Sequence, residues 1–292
     1  MPSSSPDRTP PPLPEPLTTP VADSHTHLDM QDATVAEAVA RAAEAGVTPL
    51  IQIGCDLPRA RWAAEVAAEQ PGVWAAVALH PNEAPRLALE EGEDALDAAL
   101  AGIAELAKLP QVLAVGETGL DYFRTGPEGV AAQQRSFRRH IALAKELDKA
   151  LVIHDREAHA DVLRLLDEEG APERTVFHCF SGDAEMAREC AAKGYFMSFA
   201  GNVTFKNAQP LRDALAVAPP ELVLVETDAP FLTPAPYRGR ANAPYLIPVT
   251  LRAMAEVKGM AVDTLAEHVA RNTARAFGYP EPGHLSPRTL PR

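Results

Sequence analysis

The sequence predicts a (β/α)8 TIM barrel, and three observations carry the prediction. Short β-prone runs alternate with alanine-rich stretches of helical period, eight times over in about 250 residues. The runs are continuously apolar rather than alternating, which marks strands buried on both faces, as in a parallel sheet. No glycine-rich phosphate loop of the G-x-G-x-x-G or Walker kind follows the first run, which counts against a doubly wound open sheet.

The opening stretch, MPSSSPDRTPPPLPEPLTTP, is built of prolines and serines that neither pack nor join a ladder, so residues 1–20 are expected to form a disordered or polyproline-like extension. The first strand is VADSHTH (21–27), and a helical period follows near 33–45. VTPLIQIG (47–54) and VWAAVALH (73–80) are the second and third strands, separated by a helix near 58–70. VLAVGE (112–117) comes after a helix near 93–108, and ALVIH (150–154) after one near 129–148. RTVFHCF (174–180), GYFMSF (194–199) and LVLVETD (222–228) complete the eight, spaced by helices near 157–169, 184–193 and 207–217. Two more helices, near 247–258 and 263–277, follow the last strand, so the barrel is expected over 21–278. The end of the chain, residues 279–292, repeats the composition of the start and is expected to be a disordered tail.

Of the 292 residues 46% are apolar, enough for a large core, and aromatics at 5% leave aliphatic side chains to build it. A net charge of −13 excludes a protein whose whole surface coats nucleic acid or an anionic membrane, though a local basic pocket is compatible with it. Cys55, Cys179 and Cys190 are odd in number and show no C-x-x-C spacing, which points to a reducing cytoplasmic setting rather than a disulfide framework. No apolar run reaches membrane-span length, and the N-terminus lacks the apolar core of a signal peptide, so no membrane partner is expected.

Barrel chemistry sits where the strands finish. Strand 1 ends in His25 and His27, whose i, i+2 spacing sends both imidazoles to one side. Strand 3 ends in His80, strand 4 in Glu117, strand 5 in His154, strand 6 in His178 and strand 8 in Asp228. Five of the nine histidines thus fall at strand ends, while His140, His159, His268 and His284 lie on helices or in the tail and are expected at the surface. This donor set exceeds what one tetrahedral ion needs. It suits two divalent ions sharing a bridging carboxylate, which can supply a hydroxide nucleophile and clamp phosphoryl oxygens. One ion with spare acid/base residues is the conservative alternative.

The stretches DSHTHLD, GETGLDYF, IHDREAHADVL, HCFSG and ETDAPFLTP…YRGRANAP closely resemble the signatures of the TatD family of metal-dependent deoxyribonucleases, in the amidohydrolase-like superfamily. The resemblance runs from about residue 21 to 278 and implies a metal-dependent phosphodiesterase that acts exonucleolytically on DNA. It implies that His25, His27 and Asp228 hold a first metal, that Glu117 bridges, and that His154 and His178 hold a second. Mg²⁺, Mn²⁺ and Zn²⁺ are the candidate ions. Two departures touch no ligand: Ala241 and Ala243 stand where the family often has a charged residue, and Asp155 where a small polar one is usual. Both bear on substrate contacts.

Arg156, Arg238 and Arg240, whose guanidinium forks match phosphate geometry, and more weakly Lys206, are the candidates for binding substrate phosphates from the loops after strands 5, 7 and 8. His80 at the end of strand 3 is a candidate to bind substrate or to support a ligand. Surface salt bridges, and for His80 a packed loop histidine, are the plain alternatives. Asp228 and Glu117 are the expected catalytic carboxylates, Asp228 taking a proton from the attacking water. Cys179 is expected to point into the core, Asp121 to orient a ligand, and Ser181 to be a loop residue. The expected function is 3′→5′ exonucleolytic hydrolysis of single-stranded DNA or a DNA 3′ end, by a cytoplasmic monomer or weak oligomer. An amidohydrolase-type esterase, lactonase or deaminase, and a metal-binding partner protein without turnover, are the competing readings.

Overall fold

A computed structural model describes residues 9–279. Eight strands, β1 (Val21–Thr26), β2 (Val47–Gly54), β3 (Val73–Val77), β4 (Val112–Asp121), β5 (Ala150–Arg156), β6 (Thr175–Phe177), β7 (Phe196–Phe199) and β8 (Val223–Val225), pair in parallel in chain order. Among the described residues ten α-helices surround them: α1 (Val35–Glu44), α2 (Leu57–Glu69), the short α3 (Glu83–Arg86), α4 (Glu93–Ala107), α5 (Pro127–Glu146), α6 (His159–Glu169), α7 (Ala184–Ala192), α8 (Gln209–Val217), α9 (Ile247–Lys258) and α10 (Val262–Phe277). The ring closes from β8 to β1 just where the predicted site lies. Asp228 N donates to His25 O at 2.9 Å, His27 N to Ala229 O at 2.9 Å, and Ser24 Oγ to Val225 O at 3.0 Å. The fold is the (β/α)8 barrel that the alternation predicts.

Local chemistry explains the helix starts. Thr34 and Glu37 form a capping box ahead of α1, Asp56 caps α2 through Arg59 N, and Asp183 caps α7 through Glu185 N and Met186 N. Inside the barrel Ile51, Ile53, Ala76, Ala114, Val152, Val176, Phe196 and Leu224 form one buried cluster, joined by Phe277 and Tyr279 from the end of α10. A larger aliphatic layer fills the space between strands and helices. Along β5, Ala150 and Val152 belong to the interior cluster, and the period of two carries His154 to the same side.

Part of the proline-rich extension is docked on the barrel. Residues 1–8 and 280–292 lie outside the described residues, but 9–20 are not a free tail. Pro11 O accepts from Tyr245 Oη at 2.6 Å and Arg41 Nη2 at 3.2 Å, Leu17 N donates to Ala45 O at 3.1 Å, and Leu17 is buried. Prolines remove donors but leave carbonyls, and their fixed φ lowers the entropy lost on docking, so a proline-rich stretch can bind through its acceptors. Tyr279, expected in the tail, is likewise buried. His140, expected at the surface, is 1% exposed on the inner face of α5.

Candidate metal centre

Glu117 sits at the centre of the barrel mouth, and the strand that carries it is shaped around it. The β4–β5 register shifts between Gly116 and Thr118, a bulge that redirects side chains which strict alternation would send the other way. The glycines on either side have no room for a Cβ. One at Gly116 would strike the Val152 side chain, and one at Gly119, where φ is +139°, the carbonyl of His154. The G-E-T-G stretch therefore reflects close approach of β5 on both sides of the carboxylate.

Four imidazoles face that carboxylate. His154 Nδ1 lies 2.7 Å from Oε1, His178 Nε2 3.0 Å and His80 Nε2 3.5 Å, while His25 Nε2 lies 3.4 Å from Oε2. Asp228 Oδ1 is 3.4 Å from His27 Nε2 and 3.8 Å from His25 Nε2. The His25 and His178 rings stack at 3.8 Å. The structure thus brings together all six residues that the strand ends nominate, with His80 as a seventh.

Electrostatics follow from this packing. Burial opposes ionisation of Glu117, yet the His178 and His80 imidazoles and the hydrogen bonds from His154 and His178 hold its carboxyl well below the usual range. Burial also opposes charge on His178, but Glu117 and Glu226 drive its affinity for a proton well above the ordinary value. His25, by contrast, is pushed down by burial and by His178, which leaves it a neutral donor. Asp228 resists burial through the hydrogen bond with His27 and the nearby His178 and His25, and lies below its ordinary value.

The donor set fits a divalent cation on two observations. His25 Nδ1 and Nε2 and His27 Nδ1 are buried with no hydrogen-bond partner among the described residues, although His25 Nε2 is within ion-pair distance of Glu117. Buried polar atoms ordinarily have partners, so these nitrogens are held for something else. Second, His25, His27 and Glu117 offer one ligand atom each within 4.8 Å of one another, as do His25, His178 and Asp228, and His80, Glu117 and His154. Ligand atoms on one tetrahedral ion stand roughly 3.3 Å apart, from bond lengths of about 2.0–2.1 Å. The 3.4 Å pairs formed by His25 and His27 have that spacing.

Outer carboxylates set the ligand orientations. Glu226, fully buried, accepts from Cys179 N at 2.9 Å and pairs its Oε1 with His178 Nδ1 at 3.0 Å, turning His178 Nε2 towards Glu117. Asp121 does the same for His154, 3.2 Å from Nε2, and is itself fixed by Asn82 Nδ2 and Arg124 N. Asp23 accepts from Thr227 N at 2.9 Å and His25 N at 3.3 Å, and burial pushes its carboxyl up to about 8. Glu226 escaped the reading of strand ends, although its place two residues after the interior Leu224 puts it on the barrel side of the chain.

A cavity of about 730 Å³ opens over the cluster, lined by His80, Arg156, Asp228, Cys179 and Phe231, and also by Arg59 and Arg124, which sequence reasoning did not single out. Arg156 enters it with its guanidinium 3.9 Å over the Phe123 ring. Lys206, Arg238 and Arg240 do not line it: Arg238 lies 3.9 Å over Phe205, Arg240 5.7 Å over Tyr237, and Lys206 is exposed. Cys179 corrects the expectation of a core thiol. Its φ of +41° breaks the strand alternation and turns it to the cavity, where Asn202 Nδ2 lies 3.8 Å from Sγ. Asp228 and Leu232 also take positive φ, at 53° and 55°. Asp155 is occupied by His159 Nδ1 at 2.7 Å, so His159 is half-buried rather than free at the surface.

The TatD related DNase family model matches residues 22–278. An uncharacterized metal-dependent hydrolase TatD of Mycobacterium tuberculosis is 46% identical over 266 residues, spanning 88% of this chain and 98% of that protein. A Citrobacter rodentium protein named 3′-5′ ssDNA/RNA exonuclease TatD is 33% identical over 251 residues, 83% of this chain and 91% of its own. The crystal structure of YjjV, a TatD homologue from Escherichia coli, superposes with a TM-score of 0.81 at 27% identity, covering 89% and 98% of the two chains.

Proposed function

Because the chain belongs to the TatD family of metal-dependent hydrolases, we propose that it hydrolyses phosphodiester bonds of DNA, removing nucleotides from the 3′ end of single strands. The observation that carries this reading is the position of Glu117, whose two oxygens face His154 and His178 on one side and His25 on the other. In the proposal His25, His27 and Asp228 would hold one divalent ion and His154 and His178 a second, with Glu117 within reach of both sets of side chains. Bound there, such ions supply a hydrolytic nucleophile at neutral pH and neutralise charge on phosphoryl oxygens. The name of the Citrobacter relative supports a nucleic-acid substrate.

The chain's own groups do the rest. Asp228 is held ionised at the cavity floor, so it can accept the proton that the attacking water gives up. Arg156, which makes no ion pair among the described residues, offers its fork to a phosphate inside the cavity. His80 Nδ1 accepts from Asn82 N at 3.1 Å, which leaves Nε2 to face the reacting group beside Glu117. Lys206, Arg238 and Arg240 would meet backbone phosphates beyond the cavity. The three cysteines are free thiols, which fits a reducing cytoplasm, and among the described residues no helix is long and apolar enough to cross a membrane.

The test is to load the purified protein with Mg²⁺, Mn²⁺ or Zn²⁺, count the ions by elemental analysis and anomalous scattering, and follow 5′-labelled single-stranded DNA and RNA. Two ions per chain and stepwise shortening from the 3′ end are expected. Glu117→Ala should lose metal and at least about 10³-fold in turnover, because charge stabilisation worth several kcal/mol goes with it. A loaded protein that cleaves no nucleic acid but hydrolyses small carboxylic esters would overturn the assignment.

A further inference from the structure

Large exposed apolar side chains are unevenly distributed on this molecule. Among the described residues they are Leu13, Met30, Leu89, Phe123 and Phe231, and two of the five, Met30 and Phe231, line the metal cavity. Phe123 carries the guanidinium of Arg156, which also lines it. Clustered exposed apolar surface beside a polar site marks a place where something binds.

Phe231 is the best defined of these. The residue is 47% exposed, and its ring centroid lies 6.2 Å from that of His27 at an interplanar angle of 73°. The ring is displayed by a rigid support rather than a slack loop. Phe231 N donates to Asp228 O at 2.8 Å, and Phe231 O accepts from Asn242 Nδ2 at 2.6 Å. Asn242 is buried and also holds Thr227 O at 2.8 Å, so one amide ties the Phe231 backbone to the stretch that bears Asp228. The following residue, Leu232, is kept at positive φ, a conformation that persists only where the surroundings impose it.

Resting on the nucleic-acid reading above, we propose that Phe231 is a stacking platform for the unpaired base of the 3′-terminal nucleotide, and that the enzyme requires a base there for tight binding. The cavity combines three chemistries: carboxylates and imidazoles that could hold a metal, the guanidinium of Arg156, and a half-exposed aromatic ring next to His27. Phosphate accounts for the first two, and a planar base for the third. At about 730 Å³ the cavity falls in the range of roughly 300–1,000 Å³ that encloses a whole organic ligand, so it has room for more than a phosphate. Stacking on an aromatic ring tolerates any sequence, because every base has a π-face. A base held in a duplex cannot offer that face, which makes the platform selective for frayed or single-stranded ends.

The experiment compares 5′-labelled single-stranded DNA ending in a natural nucleotide with the same strand ending in a tetrahydrofuran abasic unit. KM is measured for wild type, Phe231→Leu and Phe231→Trp, each with metal content verified. In wild type the abasic end should raise KM by roughly 5- to 150-fold, from about 1–3 kcal/mol of stacking per base. In Phe231→Leu that ratio should collapse towards one, and in Phe231→Trp it should return. A ratio near one in wild type, or an equal ratio in wild type and Phe231→Leu, overturns the stacking role while leaving the nuclease intact. Absence of cleavage of either strand by the metal-loaded wild type overturns the nuclease reading itself.

Discussion

Replacing His140 with glutamine is expected to flatten the acid side of the stability curve. His140 projects from α5 into the wall behind the site, where Nε2 accepts from Leu79 N at 3.3 Å and Nδ1 donates to Ser136 O at 2.8 Å, with Thr118 Oγ1 3.0 Å away. Those partners tie the residue before His80 to the residue after Glu117, and they need the neutral tautomer with its proton on Nδ1. Burial lowers the imidazole from 6.5 to about 4. The unfolded chain takes up a proton near pH 6.5 and the folded one only near pH 4, so stability falls as pH drops through that window and the full loss is reached below it. Each tenfold change in proton affinity is worth about 1.4 kcal/mol, which gives about 3 kcal/mol in total and about 2 kcal/mol between pH 7 and pH 5. Glutamine can replace both hydrogen bonds but does not titrate. Urea midpoints of metal-free wild type and His140→Gln at pH 7, 6 and 5 measure the difference, and subtraction cancels every other group. Parallel curves over that range would show that His140 is not held neutral in the wall behind the site, and would refute its role there.

Glu226→Gln should keep the fold but misdirect His178, weakening Mn²⁺ or Zn²⁺ binding about 10- to 100-fold by calorimetric titration; an unchanged affinity would remove Glu226 from the metal centre. Arg156→Ala should weaken single-stranded DNA binding and lower the salt slope by about 0.7. Arg238→Ala, whose guanidinium lies on Phe205 outside the cavity, should change both less. The two slopes are read by fluorescence anisotropy from low to moderate salt, and the reverse order would put the phosphate contacts on the outer rim.

The eight strands were legible because a parallel barrel buries both faces of every strand, and runs such as VTPLIQIG and ALVIH display that continuously. The site was legible because barrel topology gathers strand ends, so residues 203 positions apart in sequence, such as His25 and Asp228, could be placed together without a contact map. What escaped depends on backbone detail. Cys179 turns into the cavity through a positive φ that alternation does not foresee. His140 did leave a signal: Gln133, Ser136, Phe137, Ile141 and Ala144 are its buried companions at helical spacing, and that stripe marks the inner face of α5. The arginines were harder, because a residue type says what it can bind but not which way a loop carries it. Arg124 reaches the cavity and Arg238 does not. The docking of the proline-rich start was not legible because its composition reports missing donors, whereas the docking uses acceptors.

The closure of the ring between β8 and β1 gives metal binding a mechanical side. His25 and Asp228 stand at the seam where the two ends of the barrel meet, separated by about 200 residues of chain, whereas His154 and His178 sit on adjoining strands only about 24 residues apart. An ion gripping the first pair would act as a clasp on a nearly full-length loop, and one gripping the second would fasten a short one. Loop-closure entropy makes the clasp about 2 kcal/mol more effective against unfolding than the short fastening, for equal intrinsic affinity. Stripping metal should therefore loosen the molecule first along β1 and β8, and amide exchange would rise there while β4 and β5 stay protected.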